Sequence, residues 1–203
     1  MAKCWWGWTW ISRLTFRVSS TQTQAAVNLN QPKILIVGVG NVLRGDDGFG
    51  VELAWRLAKQ IFPPGVKVME TGIGGMSIVQ ELMDGYDAVL VLDAYQSGGR
   101  PGEVRLLQPL MPDLTGLDIH ALRDYFADTH FATPIRALAL LEHLGHLPRR
   151  FAVIGCEPAT VDRLELGLSV AVTLALDEAE SLVHAWVAQL QAGGSAKTRP
   201  AAT

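Results

Sequence analysis

The sequence predicts an α/β protein with three layers, in which a mostly parallel β-sheet lies between two layers of helices. Apolar runs typical of buried strands, such as KILIVGVG from Lys33 and DAVLVLDA ending at Ala94, alternate with segments whose apolar residues recur at the helical period of about 3.6 residues. Parallel strands are connected by crossovers that are usually helices, and both faces of a parallel sheet are normally covered. The alternation therefore favours an α/β/α sandwich.

The chain of 203 residues is expected to form one domain over residues 32–192, with an extension over 1–31 and a disordered tail over 193–203. The extension contains no acidic residue and carries four tryptophans between Trp5 and Trp10. Its composition is close to that of a transit-like or surface-active segment. We favour a disordered extension, or a translation start placed too early.

The overall composition limits the classes of function. A net charge of −3 and 49% hydrophobic residues indicate a globular protein without the basic surface typical of nucleic-acid or anionic-membrane partners. The two cysteines, Cys4 and Cys156, lie far apart, which argues against a disulfide framework and against a cysteine-rich zinc site. No apolar run reaches the ~18 residues that a membrane span needs. We therefore expect a cytoplasmic monomer with no nucleic-acid partner and no membrane span.

The first half of the chain predicts three strands and two helices. The strand from Lys33 is followed by a helix over Asp47–Ile61, which the next prolines end. Its apolar positions are expected to face the core: Gly50, Leu53, Ala54, Leu57, Ala58 and Ile61. A second strand, VKVME, ends at Glu70, and the loop TGIGG and a short helix over Met76–Asp84 lead to the third strand.

The second half predicts two further strands and two helices. GEVRLLQP, from Gly102, alternates like a strand at a sheet edge, whereas residues 110–129 form a long irregular connection whose LRDYFAD piece could be a helical turn. Thr133 before a proline is typical of a helix start, with Ile135, Leu138, Leu141 and Leu144 inward. FAVIGCEP is another buried strand. Ser169 should cap a last helix whose inward residues are Val172, Ala175, Leu176, Ala179, Leu182, Val183, Trp186 and Leu190.

Two carboxylates, Asp47 and Asp93, follow apolar strands of the predicted sheet. The carboxyl ends of strands in an open parallel sheet face one crevice, where ligands bind. His130 precedes a predicted helix start on the same side, and two carboxylates with an imidazole suit a divalent ion such as Ni²⁺, Zn²⁺ or Mn²⁺. The structural alternative is that Asp46 or Asp47 caps the helix that follows. We expect one of them to do so.

Other familiar sites are poorly matched. GVGNVL resembles the start of a dinucleotide fingerprint, with Glu70 placed like a ribose-binding acid, but Leu43 stands where the third glycine belongs. The acidic pair that follows would also repel a pyrophosphate. GLSVA lacks the last glycine of a nucleophile elbow, so Ser169 is better explained as a cap, and Cys156 as a buried, inert thiol.

Several motifs between Lys33 and Leu190 resemble one known family, the hydrogenase maturation proteases. These endopeptidases remove a C-terminal peptide from the large subunit of nickel–iron hydrogenases once nickel is in place. The resemblance rests on GVGNVLRGDDGFGV, TGIGGM, VLVLDA, the histidine before TPIRALALL, and IGCEP with the GLS helix start. It implies a phosphorylase/hydrolase-like α/β/α fold and an aspartic-type endopeptidase activity. The family's pattern does not include the N-terminal extension.

The resemblance also assigns roles to particular residues. It implies that Asp47, Asp93 and His130 contact nickel, and that Asp47 and Asp93, with Glu70, serve catalysis or substrate fit. The loop glycines Gly72, Gly74 and Gly75 would contact the substrate. No cofactor would be permanently bound, because nickel is recognised as part of the precursor of the large subunit. A carboxylate acting as base and the ion polarising the carbonyl are both consistent with this set.

Two other classes of function remain open at this point. A resident-metal hydrolase or peptidase with another substrate would use the same ligands but keep its ion through dialysis. A nucleotide-binding α/β module would be stabilised by dinucleotides.

Overall fold

The computed structural model describes residues 31–127 and 133–194, which form a three-layer α/β/α sandwich. Its sheet has five strands in the order β2-β1-β3-β5-β4, and only β4 is antiparallel to its neighbour. The strands are β1 (Ile34–Val39), β2 (Val66–Gly72), β3 (Ala88–Ala94), β4 (Val104–Leu107) and β5 (Arg150–Cys156). The predicted fold class is confirmed, and the strand predicted at an edge, β4, is an edge strand.

Helices cover both faces of the sheet. They are α1 (Phe49–Leu57), α2 (Gly75–Leu82), α3 (Ile119–Ala127), α4 (Pro134–His143) and α5 (Val170–Gly194), and a single 3₁₀ turn, Gly45–Gly48, precedes α1. One apolar core lies between the sheet and α1 with α5, and the other lies between the sheet and α2 with α4. Alternate residues of β1 supply the two cores, because successive side chains of a strand point to opposite faces.

The predicted helix caps are present in the structure. The hydroxyl of Thr133 accepts a hydrogen bond from the amide of Arg136 at 3.4 Å, with Pro134 as the first residue of α4. The hydroxyl of Ser169 accepts one from the amide of Val172 at 3.4 Å, at the start of α5. Both ends follow the sequence signals because caps depend on residues only a few positions apart. The predicted inward residues of α5 are buried or partly buried.

Several predicted boundaries are wrong. The first helix does not extend over Asp47–Ile61, and Ile61 is 98% exposed instead of facing the core. Leu144, predicted inward on α4, is half-exposed beyond the helix end. The described residues of LRDYFAD, 122–127, belong to the full helix α3 rather than to a single turn, and part of TGIGG belongs to β2 and α2.

The structure describes the two ends of the chain only in part. Helix α5 continues to Gly194, two residues into the predicted tail. The predicted extension over 1–31 lies outside the described residues apart from Gln31, and so does the tail from residue 195. Within the described part of the chain, no helix is both long enough and apolar enough to cross a membrane.

Candidate active site

The structure brings Asp47 and Asp93 together at the carboxyl edge of the sheet. Asp93 is the sixth residue of β3, and Asp47 lies in the 3₁₀ turn that follows β1, the strand next to β3. The pKa of Asp93 is raised to about 7, mainly because burial disfavours its charged form and also because Asp47 repels that charge. An acid whose charge is disfavoured by burial and by a neighbouring acid forms, together with that neighbour, a site suited to a cation.

The backbone around Asp47 fixes where its carboxylate lies. The amide of Asn41 donates to Oδ2 of Asp47 at 3.1 Å, and the side-chain oxygen of Asn41 accepts from the amide of Leu43 at 3.0 Å. Asn41 therefore organises the turn that leads from β1 to Asp47. The Asn of the GVGNVLRGDD motif has this local role because an Asn side chain can hydrogen-bond backbone groups two residues on.

Glycines allow the turn and α1 to approach the strand ends closely. A Cβ atom at Gly40 would lie 1.8 Å from the carbonyl oxygen of Asp47, and one at Gly50 would lie 2.0 Å from the carbonyl oxygen of Leu92. At Gly38 a Cβ would lie 2.2 Å from the carbonyl oxygen of Gly50. These contacts leave no room for any side chain, so the glycines of the motif set how near the turn lies to the end of β3.

Asp46 is buried and does not have the predicted role of a helix cap on α1. It is 1% exposed, and its carboxylate accepts from the amide of Ala159 at 2.8 Å and from the amide of Ser169 at 2.6 Å. Neither Asp46 nor Asp47 forms a side-chain cap on α1, whose N-cap residue is Gly48. The expectation that one of them caps α1 is wrong. Asp46 instead joins the turn to the residue that caps α5.

Glu70 lies at the same edge of the sheet on the outer strand β2. In the strand register, Gly38 of β1 faces Glu70 on one side and Leu92, the neighbour of Asp93, on the other. Glu70 is exposed, and its carboxylate accepts from the amide of Gly72 at 3.0 Å. The structure therefore separates Glu70 from Asp93 by the width of β1, so the two acids do not form a pair like Asp47 and Asp93.

The loop glycines adjoin Glu70. Gly72 has a φ of +54°, and its carbonyl oxygen accepts from the amide of Gly40 at 3.0 Å, so this loop is tied to the turn that carries Asp47. Gly74 is the N-cap residue of α2, and Gly75 begins that helix and is buried. The predicted substrate-contacting glycines thus lie at the same edge as the two acids.

Comparison with protein families identifies the chain. The family model for hydrogenase maturation protease, HycI, matches residues 51–186, which is more than half of the chain. The chain belongs to the hydrogenase maturation protease family. The resemblance inferred from the motifs is confirmed.

Individual relatives agree with this membership of the hydrogenase maturation proteases. Hydrogenase expression/formation protein HupM of Azotobacter chroococcum is 32% identical over 162 residues, which cover 79% of this chain and 74% of HupM. A putative hydrogenase maturation protease of Methanocaldococcus jannaschii is 30% identical over 158 residues, covering 76% of this chain and 96% of that protein.

Solved structures share the fold of this maturation protease. The nickel–iron hydrogenase maturation protease HycI from Thermococcus kodakarensis has a TM-score of 0.56 at 28% identity, covering 81% of this chain and 96% of that one. The hydrogenase maturating endopeptidase HybD from Escherichia coli has a TM-score of 0.62 at 23% identity, covering 77% and 93%. The likeness to HybD concerns the fold alone.

The third predicted metal ligand of this maturation protease, His130, lies outside the described residues. Over residues 31–127 and 133–194, no three His, Cys, Asp or Glu side chains form a group able to hold a metal ion. The described part of the site therefore contains the two carboxylates of the predicted set. Cys156 is buried, and burial raises the pKa of its thiol to about 12, as expected for an inert thiol.

Glu157 is a buried acid that the sequence reasoning missed. Its carboxylate accepts from the amide and hydroxyl of Ser97, at 2.8 and 2.6 Å, and from the amide of Gly98 at 3.0 Å. These bonds hold the loop that follows β3, and they lower the pKa of Glu157. Its place directly after the apolar run of β5, where a carboxylate needs partners, was the available signal.

A cleft of about 460 Å³ opens beside Asp93, and sequence reasoning missed it as well. Its walls come from the end of β3, from the segment after β4, from β5 and from the start of α4. Four separate segments form the cleft, so no single motif predicts it. In this protease the cleft adjoins the acidic pair through Asp93.

Proposed function

We propose that this chain is the endopeptidase that removes the C-terminal peptide from the nickel-loaded large-subunit precursor of a nickel–iron hydrogenase. The observation that carries the proposal is the pairing of Asp47 and Asp93 at the carboxyl edge of the sheet in a chain of the hydrogenase maturation protease family. The relatives' names supply the class of substrate. The acidic pair supplies a way to recognise a metal ion within that substrate.

Nickel is written here as part of the substrate, not as a cofactor of the protease. A divalent cation bound between the two carboxylates stabilises the charge of Asp93, because attraction to the cation offsets the repulsion from Asp47. The proposal adds the imidazole of His130 as a nitrogen donor, which completes an oxygen- and nitrogen-rich set suited to Ni²⁺. Three protein ligands leave coordination positions open for groups of the precursor.

Catalysis follows from the position of the bound ion. An ion held by Asp47 and Asp93 would place the precursor's peptide bond at the carboxyl edge of the sheet, and orientation of this kind lowers the barrier to hydrolysis. Either a carboxylate of the pair takes a proton from water, or the ion polarises the scissile carbonyl. We propose that Glu70, on the outer strand β2 and separated from Asp93 by β1, contacts the substrate and does not share the ion.

The activity is tested by incubating the purified chain with candidate large-subunit precursors, prepared with and without nickel. A chelator is present in both reactions, and the loss of the C-terminal peptide is followed by mass spectrometry. The expected result is cleavage of the nickel-loaded precursor alone. Equal cleavage of both forms would contradict metal recognition. Cleavage of neither form, for every candidate precursor, would contradict the proposed activity.

The same preparation separates this proposal from a resident-metal hydrolase. We propose that the protease holds no ion of its own, so it should contain well under one equivalent of metal after dialysis. Metal analysis by mass spectrometry measures this directly. One equivalent that survives dialysis would favour a resident metal. We further propose that the protease acts as a cytoplasmic monomer, which size-exclusion chromatography with light scattering and cell fractionation would test.

A further inference from the structure

The cleft beside Asp93 is apolar over most of its surface. It is lined by Tyr95, Leu107, Pro109, Leu110, Ile135 and Val153, together with Asp93 itself. Among the described residues of its lining, Asp93 is the only charged one. Its volume of about 460 Å³ falls within the ~300–1,000 Å³ of typical ligand sites. The cleft therefore suits an uncharged, apolar group placed next to the acid.

Several of these apolar side chains face solvent although burial would stabilise them. Leu110 is 91% exposed and Tyr95 is 44% exposed. Tyr95 lies against Gly155 of β5, where an added Cβ would come within 2.8 Å of the Cβ of Tyr95, so the absence of a side chain there positions the ring. Exposed apolar groups gathered beside a reactive acid are typical of a surface that a partner covers.

The spacing of residues along an extended peptide relates the cleft to the peptide bond that is cleaved. An extended chain advances ~3.3–3.6 Å per residue. Because Asp93 both belongs to the acidic pair and lines the cleft, a side chain seated in the cleft belongs to a residue close to the peptide bond held at the pair. The surface is thus continuous with the site already described, and its occupant is part of the same substrate.

We propose that this cleft is a specificity pocket that takes an apolar side chain of the precursor within two residues of the scissile bond. The proposal rests on the proposed function, because the occupant is a segment of the precursor. Apolar contact in the cleft favours binding because it removes apolar surface from water. The pocket thereby selects the cleavage position, while the acidic pair selects the metal.

Ile135 provides a variant that changes the cleft without weakening the fold. It is half-buried, belongs to neither apolar core, and is the second residue of α4, where an acid interacts favourably with the helix dipole. Ile135→Asp therefore places a charge in the cleft of a folded protein. The matched control is Ile61→Asp, because Ile61 is 98% exposed beyond the end of α1 and does not line the cleft.

The experiment measures kcat/KM on the nickel-loaded precursor and on variants with lysine at each of the two positions on either side of the cleavage site. Lysine at one of these positions should lower cleavage by wild type about tenfold or more, since the apolar pocket rejects a charge. Ile135→Asp should lower cleavage of the natural precursor by a similar factor and partly restore cleavage of that lysine variant. Ile61→Asp should behave like wild type on every substrate.

A binding measurement tests the pocket without requiring cleavage. Synthetic peptides that span the cleavage site are titrated against wild type and Ile135→Asp by fluorescence anisotropy, with the natural apolar residue or with lysine. Loss of the preference for the apolar peptide in Ile135→Asp supports the pocket. Equal binding of both peptides by wild type overturns it, even where the precursor is cleaved. A precursor that is never cleaved contradicts the proposed function instead.

Discussion

Asp46 and Asp47 are adjacent in the sequence, but their surroundings give the two carboxylates different chemistry. Asp46 is buried and its oxygens are satisfied by the amides of Ala159 and Ser169. Asp47 keeps part of its surface accessible and lies close enough to Asp93 to raise that residue's pKa. A carboxylate whose oxygens are already bound to amides has little left for a cation, so only Asp47 is available to the proposed substrate.

The raised pKa of Asp93 predicts that its charge costs stability. The pKa is about 7 in the folded protein against a usual 3.8, so the folded state binds this proton more tightly than the unfolded chain does. The stabilisation that comes from this tighter proton binding is fully present below the pKa of the unfolded chain. It is lost as the pH rises through about 7, the pKa in the folded protein. Asp93→Asn has no charge to bury, so its melting temperature at pH 8 should exceed that of wild type by a few degrees, roughly 2–4 °C per kcal/mol.

The control for this measurement is an exposed acid. Asp84→Asn, at the surface beyond α2, should melt like wild type at both pH 5 and pH 8. The gap between Asp93→Asn and wild type should shrink at pH 5, where Asp93 is protonated. Calorimetry in which Asp93→Asn melts below wild type at pH 8 would show that other groups compensate this buried charge.

The same two acids predict how processing depends on charge and pH. Asp47→Asn and Asp93→Asn keep the side-chain shape but lose the charge that attracts nickel, so each should reduce kcat/KM by more than the roughly 10–100-fold typical of outer-shell changes. In wild type, protons compete with the ion for Asp93, so processing should decline as the pH falls through about 7. Rates measured between pH 5 and 8 that stay constant would refute a role for Asp93 in capturing the ion.

At the scale of elements, the site depends on how closely α1 packs against the sheet. Gly50→Ala would place a Cβ 2.0 Å from the carbonyl oxygen of Leu92, and backbone atoms cannot give way cheaply there. Displacement of α1 should cost roughly 1–3 kcal/mol or more in the free energy of unfolding and should move Asp47 away from Asp93. Urea unfolding and the processing assay measure the two effects.

A second glycine serves as the control for this change. An added Cβ at Gly116 meets nothing within 4 Å, so Gly116→Ala should leave both the free energy of unfolding and processing near wild type. If Gly50→Ala is as stable and as active as Gly116→Ala, the close approach of α1 is not what positions Asp47.

Elements with local signals could be predicted from the sequence, and elements defined by distant contacts could not. The caps at Thr133 and Ser169 follow from residues a few positions apart. The end of α1 was misplaced at Ile61 because apolar spacing continues past Leu57, although the chain there has left the sheet. The partners of Asp46 could not be foreseen, since they are backbone amides 113 and 123 residues away.

At the scale of the whole molecule, the described members of both apolar cores lie between Ile34 and Leu190. The sequence of residues 1–31 has no periodic pattern that would tie it to these cores. Deletion of residues 1–31 should therefore leave the melting temperature and the processing rate close to those of the full chain. A truncated protein that precipitates or fails to cleave the precursor would give the extension a role in folding or in activity.

The sequence could predict the layers, the family and the proximity of Asp47 and Asp93, because each rests on a pattern repeated along the chain or on a compact motif. The cleft beside Asp93 has no such pattern. It is formed where the end of β3, the segment after β4, β5 and the start of α4 come together. Such a surface exists only after the chain has folded, so neither periodicity nor spacing reveals it.

The hydrogen bonds that Asp46 accepts join its turn to residues that are translated much later. Ser169 leaves the ribosome 123 residues after Asp46, so the turn beside the acidic pair lacks its partners until nearly the whole chain has been translated. Until then, the turn that carries Asp46 should lack the hydrogen bonds that fix it. In pulse-labelling hydrogen exchange during refolding, the amides of Ala159 and Ser169 should become protected together with α5 and not with β1. If these two amides are protected before α5 forms, the turn is completed independently of the packing of the last helix.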